Sequence, residues 1–490
     1  MSRDKQRRGG WSGRSRAWPR AVNAGAAFLV GLLAFVSGCS KRAPATSPTP
    51  AVFKQVLTAE QRRKNVESFD EMWTIIRDRH FDPKLNGVDW DAVRAKYRPV
   101  VVEATTMSEA RSAMNDAIET LGQSHFGIIA ADAYEAMSDP SGEGATSADG
   151  EGPTPANREG TTGVEGVVLD GKLVVRRVIA GSPADRAGVR VGWVVRSVRG
   201  KPVEPVLERV RNEFADKSYR AVAEQRVADA MLRGPVGKSL ALEVLNGRDV
   251  PLSLELPLVS RDERKAAFGH LPPMPLRLES RRLEGNVGYI LLTLWMDPAY
   301  VIPEIRKAIE SFDDTRGIII DLRGNPGGLG AMAMGVGNYF ITDSQHKLGT
   351  MILRDTQLSF VLSPQPTAYT GPLAILVDEL SMSTSEIFAG GMKDIGRARV
   401  FGTPTPGAAL PSVVVRLPNG DALQYAFANY ISSGGATLEG AGVKPDEIVT
   451  LDRAGLLAGR DAVIDAAVKW ITAQNPTTGP ASREAGPASK

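Results

Sequence analysis

The chain has 490 residues, a length that suits two or three domains. Its hydrophobic fraction of 42% is ordinary for a globular protein, and its formal net charge of +3 is too small to indicate nucleic-acid binding. The sequence contains a single cysteine, which excludes a disulfide bond within the chain, so stability must come from ordinary hydrophobic cores.

Residues 1–38 have the features of a secretory signal peptide. Basic residues crowd the start, an apolar run follows over 21–36, and small residues precede Cys39. The apolar run is too short for a convincing membrane-spanning helix. The position of Cys39 resembles the bacterial lipobox, in which the cysteine is lipidated and becomes the first mature residue. With Ser40 rather than aspartate next, that resemblance implies a lipid anchor in the cell envelope, at the periplasmic face of the outer membrane.

After Cys39, segments predicted to be disordered alternate with segments predicted to fold. Residues 39–52 are rich in Pro, Ser and Thr and predict a tether. Residues 53–132 predict a helical subdomain, because apolar side chains recur there every three or four residues. Residues 133–160 are acidic and contain almost nothing apolar, which predicts a disordered linker. Residues 474–490 predict a disordered tail.

Residues 161–258 predict a separate β-rich domain. A strand is followed by a Gly-Ser-Pro turn, a short helix over Ala184–Ala187 and a strand over Trp193–Val198. This order resembles a PDZ domain of the bacterial protease type. Such domains add an extended peptide to a sheet edge, and a backbone nest binds its terminal carboxylate. The nest would be formed by Gly163, Val164, Glu165, Gly166 and Val167. In the alternative interpretation the domain is only a rigid spacer.

Residues 270–473 alternate predicted strands and helices, the pattern of an α/β layer structure. The predicted strands are Val287–Trp295, Gly317–Leu322, Leu373–Val377, Arg399–Gly402, Ser412–Leu417 and Ala422–Asn429. The last two flank a Pro-Asn-Gly-Asp turn at 418–421, which predicts a hairpin. Helices are predicted in the gaps and over Asp461–Thr472.

Two motifs in this domain carry possible chemistry. Ser383 falls between the strand over 373–377 and an apolar helix, where its hydroxyl lies near free N–H groups and the positive end of the helix dipole. Nucleophilic serines are often placed this way. The alternative is that the Ser and Thr residues of 381–385 simply cap the helix. The glycine-rich loop at 321–328 exposes backbone N–H groups, which suits an oxyanion hole.

The loop 321–328 (DLRGNPGG) and the segment 381–386 (SMSTSE), with Gln-Ser-His at 123–125 and Glu439, resemble the S41 serine peptidases. This family includes the C-terminal processing proteases and the tricorn core. The resemblance implies a multidomain α+β fold: an N-terminal helical subdomain, a PDZ-like β domain and an α/β catalytic domain of the crotonase/ClpP-like type. It also implies roles for individual residues. Ser383 would be the nucleophile, and the oxyanion would bind the N–H of Thr384 and one from Gly327 or Gly328.

The general base distinguishes two branches of the family. C-terminal processing proteases use a lysine, but Ala408 stands at the matching position and has no proton acceptor. Lys393 lies nearly three turns past Ser383 on the predicted helix, too far to replace it.

The tricorn-like branch uses a histidine with a second serine and a glutamate, and His125, Ser124 and Glu439 match these positions. Histidine would then take the Ser383 proton, while Ser124 and Glu439 would orient and polarise the site.

These features predict a lipid-anchored serine endopeptidase that cleaves peptides or unfolded, C-terminal protein segments presented by the PDZ domain. One alternative is a non-catalytic peptide-binding lipoprotein, an S41 pseudoprotease that lost its base at Ala408. Another is an adaptor for other envelope proteases. Retention of Ser383, His125 and Glu439 together favours the enzyme. The sequence shows no metal cluster or nucleotide loop, so no cofactor is expected, and no nucleic-acid partner.

Overall fold

The computed structural model describes residues 56–131, 159–260 and 263–474, except 268, 270 and 272. The predicted signal peptide, the tether, most of the linker and the tail lie outside these residues, as does the lipidation predicted at Cys39. Within the described ranges, no helix combines the length and the apolar character needed to cross a bilayer.

The N-terminal part is helical, as its sequence predicts. It contains α1 (Ala59–Arg79), α2 (Trp90–Glu103) and α3 (Met107–Glu119). A polar side chain caps the start of each helix by accepting a backbone N–H of its first turn. The short strand β1 (Gly127–Ile129) follows.

Residues 159–258 form a second unit built on a six-stranded sheet with the order β3-β4-β5-β8-β9, in which β6 pairs with β5. Strand β2 pairs separately with β7. The strands are β2 (Glu159–Thr161), β3 (Val164–Leu169), β4 (Lys172–Val178), β5 (Val194–Val198), β6 (Lys201–Pro202), β7 (Arg233–Pro235), β8 (Ser239–Leu245) and β9 (Pro251–Pro257). The helices are α4 (Pro183–Arg186), α5 (Glu204–Glu213) and α6 (Arg220–Met231).

Three predicted boundaries in this unit are wrong by one or two residues. Glu159 and Gly160 were assigned to the linker, but both belong to β2. The short helix begins at Pro183, because Ser182 caps it by accepting the Asp185 N–H. The strand predicted from Trp193 begins at Val194.

The C-terminal part has a sheet with the order β12-β13-β14-β17-β18-β22. All its neighbouring pairs are parallel except the edge pair β12–β13. The strands are β10 (Lys265–Ala266), β11 (Met274–Pro275), β12 (Leu278–Leu283), β13 (Val287–Leu292), β14 (Ile318–Asp321), β15 (Lys347–Leu353), β16 (Gln357–Val361), β17 (Leu373–Val377), β18 (Arg399–Gly402), β19 (Ser412–Arg416), β20 (Ala422–Ala426), β21 (Ala428–Ser432) and β22 (Glu447–Ile448). The helices are α7 (Pro298–Glu310), α8 (Gly330–Gly337), α9 (Thr384–Asp394), α10 (Arg453–Leu457) and α11 (Ala462–Ala473).

The central strands are apolar throughout because helices cover both faces of the sheet. One face packs against α7, α8 and α9, and the other against α11. The predicted bounds of β17 and β18 are confirmed. The prediction of one strand over Ala422–Asn429 is wrong. Strand geometry is interrupted at Phe427, and the two strands on either side, β20 and β21, belong to different sheets.

The helical part shares its core with the C-terminal part. Strand β1 pairs antiparallel with β20, and the buried faces of α1, α2 and α3 pack against Leu417 and Leu423 of the β19–β20 hairpin. A buried ion pair between Arg111 and Asp421, at 2.8 Å, joins the same two regions. The structure is therefore a mixed α/β fold in which the N-terminal helices complete a core of the C-terminal part.

The sheet also brings two loops together. Strands β14 and β17 are parallel neighbours, with Asp321 opposite Leu376. The glycine-rich loop after β14 and the turn before α9 therefore emerge at the same edge, where parallel α/β sheets usually carry their sites.

Candidate active site

Ser383 has a strained backbone. Its φ of 56° and ψ of −116° lie outside the regions that residues with a Cβ usually adopt. Its N–H donates to the backbone oxygen of Ala408 and to Oε2 of Glu386, each at 2.9 Å. These bonds hold the strained turn between β17 and α9. A strained residue fixed in this way motivates a functional hypothesis for Ser383.

The neighbouring serines have structural roles. The Ser381 hydroxyl donates to the backbone oxygen of Leu322 at 2.8 Å, and the Ser385 hydroxyl donates to that of Asn325 at 3.1 Å. Both serines are fully buried, whereas Ser383 is only partly buried. Ser383 itself is the N-cap residue of α9 and forms a capping box with Glu386, but a cap does not require its strained backbone.

The glycine-rich loop lies directly against Ser383. A Cβ added to Gly327 would come within 2.6 Å of the Ser383 Cβ and 3.0 Å of the Thr384 N. A Cβ on Gly328 would meet the backbone oxygen of Trp295 at 2.2 Å. Both glycines also have positive φ angles, 101° and 139°, so neither position accommodates a side chain.

The three predicted oxyanion donors differ in whether their N–H groups already have an acceptor. The Gly327 N–H already donates to Oδ1 of Asn325 at 2.9 Å, so it is not available to an oxyanion here. The N–H groups of Gly328 and Thr384 have no acceptor among the described residues. Their residues are also linked, because the Thr384 hydroxyl donates to the Gly328 oxygen at 2.8 Å. The available pair is therefore Gly328 and Thr384.

Arg323 braces this loop. Its guanidinium binds Asp321 at the end of β14 and Asp461 at the start of α11. Both partners are carboxylates, one on the last residue of a central strand and the other on the residue that caps a helix. Arg323 therefore fixes the base of the loop.

Ser124, His125 and Glu439 form a connected chain. The Ser124 N–H and hydroxyl donate to the two carboxylate oxygens of Glu439 at 2.7 and 2.8 Å. The Ser124 oxygen lies 2.8 Å from Nδ1 of His125. Because the Ser124 proton goes to Glu439, the oxygen must accept a proton from Nδ1. His125 therefore carries its proton on Nδ1 and keeps a lone pair on Nε2.

His125 is held as a neutral imidazole. Burial, and then the charge of Arg226, lowers its pKa from the usual 6.5 to about 4. Its φ of 60° is unusual for a residue with a side chain, so this ring too is fixed by its surroundings. A neutral histidine with an unprotonated Nε2 is the form required of a general base.

Residues 408 and 409 link the Ser383 turn to the hydrogen-bonded chain of Ser124, His125 and Glu439. The Ala408 oxygen accepts the Ser383 N–H, and the Ala409 N–H donates to Glu439 at 3.1 Å. Among the described residues, no hydrogen bond joins His125 directly to Ser383. Catalytic hydrogen bonds are often absent without substrate and form in its complex.

Within the described residues, neither position 408 nor Lys393 provides the lysine of the C-terminal processing branch. Ala408 is buried and packs with Met382 and with Val222 of α6. The Lys393 ammonium donates to the Lys444 oxygen at 2.5 Å and pairs with Asp446 at 3.1 Å. The Lys393 ammonium is therefore bonded to the segment 444–446, in keeping with the prediction that it is a poor base.

Glu386 is a residue whose importance the sequence analysis missed. Its carboxylate is fully buried and accepts the N–H groups of Ser383, Gly407 and Ala408 and the hydroxyl of Thr405. Burial raises its pKa to about 7. Its spacing of three residues after Ser383, as in a capping box, was the available signal.

Helix α6 of the middle unit lies against both the site and strand β3. Val222 packs beside the nucleophile turn, and the Arg226 charge reaches His125. The Gln225 side chain accepts the Val168 N–H at 3.1 Å and donates to the Gly166 oxygen at 2.9 Å. Gln225 thus occupies the backbone groups at the free edge of β3.

The predicted carboxylate nest at Gly163–Val167 is not open. The Gly163 N–H donates to the Thr161 hydroxyl, and Val164 to Val167 belong to strand β3, which pairs with β4. Glu165 instead forms an ion pair with Arg277 at 3.0 Å. The segment therefore does not present a row of free N–H groups in this structure.

Acidification is expected to destabilise the fold through His125. The unfolded chain binds its proton near pH 6.5 and the folded chain only near pH 4. The stabilising contribution is therefore complete above pH 6.5 and is lost as the pH falls, by about 3 kcal/mol at pH 4. Denaturant unfolding between pH 7 and pH 4 should show this extra loss in the parent relative to His125→Gln. Equal losses would contradict a buried neutral histidine.

Comparison with known proteins gives two family matches. Residues 286–449 match the model of peptidase family S41, and residues 61–118 match the tricorn protease C1 domain. The first range contains Ser383, the glycine-rich loop and Glu439. The second covers most of α1, α2 and α3.

Two relatives illustrate the similarity. The chain is 28% identical over 384 residues to carboxyl-terminal-processing peptidase 3, chloroplastic, of Arabidopsis thaliana, a match that covers 77% of this chain and 67% of the relative. It is 26% identical over 394 residues to a carboxyl-terminal-processing protease of Synechocystis, covering 77% and 79%. These relatives favour a protease over a non-catalytic binding protein.

Solved structures show the same fold. Mature CPAF matches with a TM-score of 0.58 at 15% identity, over 84% of this chain and 97% of that one. The photosystem II D1 C-terminal processing protease matches with a TM-score of 0.50 at 19% identity, over 85% and 98%.

Proposed function

The chain belongs to peptidase family S41, and from this premise we propose that it is a serine endopeptidase in which Ser383 is the nucleophile and His125 the general base. The observation that carries the assignment is the strained Ser383 turn beside the available N–H groups of Gly328 and Thr384. Neither feature is needed for a helix cap or for a peptide-binding surface.

The reaction follows from these positions. Nε2 of His125 accepts the Ser383 proton as the serine oxygen attacks the scissile carbonyl carbon. The oxyanion binds the N–H groups of Gly328 and Thr384, and His125 then returns the proton to the leaving amine. Water hydrolyses the acyl-enzyme by the same steps.

Ser124 and Glu439 hold His125 in the tautomer this mechanism needs. The chain of hydrogen bonds from Nδ1 through Ser124 to Glu439 keeps the first proton on Nδ1. It also stabilises the imidazolium that forms during attack. Partial burial raises the pKa of the Glu439 carboxyl, and the bonds that it accepts from Ser124 and Ala409 oppose this shift.

A fluorophosphonate probe tests this assignment. We expect it to label the parent protein at Ser383, and to label neither Ser383→Ala nor His125→Ala. His346→Ala is the matched control, since His346 is partly exposed and pairs only with Asp343. A well-folded parent that hydrolyses no peptide and takes no label would support the non-catalytic alternative instead.

The substrate would be a peptide or an unfolded, C-terminal protein segment presented by residues 161–258 acting as a PDZ domain. This rests on the position of β3 as an edge strand beside α6, to which an extended peptide can add by backbone hydrogen bonds. The peptide would displace Gln225 from the Val168 N–H and the Gly166 oxygen. The catalytic α/β part would be of the crotonase/ClpP-like type.

Gln225→Ala is expected to tighten the binding of a peptide with a free carboxyl terminus by about fivefold. Removing the side chain frees the strand edge from competing bonds whose net worth is about 1 kcal/mol. Fluorescence anisotropy with a labelled peptide measures the change. Arg220→Ala is the control on the same helix, because Arg220 pairs with Glu224 and not with β3. Weaker binding by Gln225→Ala would show that the peptide binds elsewhere.

The proposed location is the periplasmic face of the outer membrane, with a lipid on Cys39. The support is the sequence around this cysteine, the only one in the chain. Cys39→Ser is expected to abolish incorporation of labelled fatty acid and to move the protein from the membrane to the soluble fraction. Unchanged fractionation of this variant would argue against the anchor.

A further inference from the structure

His80 ends helix α1 and is completely buried. Its Nδ1 accepts the Asp82 N–H at 3.0 Å, and its Nε2 lies 2.8 Å from Oε1 of Gln123. Nδ1 also lies 3.0 Å from the Asp82 oxygen. Because the Gln123 Oε1 can only accept, Nε2 carries a proton and donates to Gln123. The sequence around His80 predicted no role for it.

His80 contacts the residues on both sides of the Ser124–His125 pair. Gln123 immediately precedes Ser124 and accepts the hydrogen bond. Phe126 immediately follows His125, and its ring stacks on the His80 ring with centroids 5.5 Å apart and an interplanar angle of 17°. Phe81 stacks on His80 as well, at 4.5 Å. The buried His80 ring therefore contacts both ends of the segment 123–126.

This segment needs such support. His125 has a φ of 60°, a conformation that its own sequence does not favour. The Ser124–Glu439 bonds fix the segment on the side of the C-terminal part. On the helical side, His80 fixes Gln123 and Phe126, and Asn86 holds the Leu121 oxygen at 2.8 Å.

We propose that His80 is a positioning residue for catalysis, which acts through Gln123 and Phe126 to hold His125 in reach of Ser383. This inference rests on the proposed role of His125 as the base. A small displacement of a base costs much of its rate effect while leaving substrate binding intact. The expected signature is therefore a loss in kcat without a change in KM.

Three substitutions separate the parts of this contact. His80→Phe keeps a stacking ring and removes the donor, whereas Gln123→Leu removes the acceptor. Each is expected to lower kcat for peptide hydrolysis by about 10- to 100-fold, with KM within about twofold of the parent. The double variant should lose no more than either single one, because both remove the same bond. His80→Gln keeps an N–H donor and should recover part of the rate.

Trp73→Phe is the matched control. Trp73 lies on the same helix, and its buried Nε1–H donates to the Trp90 oxygen at 2.8 Å, away from segment 123–126. This variant should lower the thermal unfolding temperature and retain kcat. If His80→Phe and Trp73→Phe change stability and kcat in parallel, His80 is only a core residue and the inference is wrong.

The outcomes also separate this inference from the proposed function. If His125→Gln retains activity, the assignment of the base fails first. If His125→Gln is inactive while His80→Phe and Gln123→Leu keep the parent kcat, only the role of His80 is overturned. Should His80→Phe not fold, Gln123→Leu still decides the question, because Gln123 is partly exposed.

Discussion

Replacing Ser383 with alanine is expected to lower kcat for peptide hydrolysis by about 10⁴-fold or more, with little change in KM. The substitution removes the attacking oxygen, whereas the N–H groups of Gly328 and Thr384 remain. Stability should be kept or should rise slightly, because the Ser383 side chain is not needed for the turn, which its backbone N–H and Glu386 hold. Progress curves with a quenched fluorescent peptide and a thermal melt measure both effects.

The two flanking serines are the controls for this prediction. The Ser381 hydroxyl donates to the Leu322 oxygen and accepts the Asp378 N–H, and the Ser385 hydroxyl donates to the Asn325 oxygen and accepts the Trp295 Nε1–H. Ser381→Ala and Ser385→Ala each leave a buried donor without its acceptor and should cost about 2 kcal/mol of stability. Each should retain kcat within about tenfold. The assignment of the nucleophile would be wrong if Ser385→Ala were inactive and Ser383→Ala were active.

Replacing His125 with glutamine is expected to lower kcat by about 10³-fold or more. Glutamine fills a similar volume and can bond to Ser124, but it cannot accept the Ser383 proton. Combining it with Ser383→Ala should cause no additional loss, because the two residues act as one unit. Single-turnover hydrolysis at saturating peptide measures the chemical step directly.

His346→Gln controls for the loss of a histidine elsewhere and should leave kcat unchanged. If His125→Gln retained activity, another group would have to act as the base. Ala408 and the paired Lys393 leave no lysine at the expected place. Activity in this variant would therefore point to a base other than His125 and Lys393.

The sequence was most informative where local pattern and chemistry coincide. The apolar run over 373–377 followed by Ser383 predicted a strand, a turn and a helix, and these are the observed elements. The backbone strain at Ser383 could not be predicted, because it depends on the bond from the Ser383 N–H to the oxygen of Ala408, which is distant in the sequence. The same reason explains why Gly327 was grouped with Gly328. Only the structure shows that Asn325 already binds the Gly327 N–H.

Other differences arise where the sequence indicates that one face of a helix or strand is buried but does not indicate which part of the chain covers that face. The helical periodicity of α1 to α3 predicted a buried face, yet its partner is the β19–β20 hairpin about 300 residues away. The nest predicted at Gly163–Val167 depended on free N–H groups. Whether they are free is decided by Thr161, by pairing with β4 and by Gln225 of α6.

The contact between Ser124 and Glu439 joins residues 315 positions apart. Such pairing is among the slowest events in folding, because a long loop must close before the contact is made. A growing chain on the ribosome carries residues 53–132 long before it carries Ser383 and Glu439, so at that stage His125 lacks both partners. If the proposed assignment is correct, proteolytic activity can therefore arise only after the chain has been made as far as Glu439. The order of the elements along the chain is itself a safeguard for the cell that makes this protease.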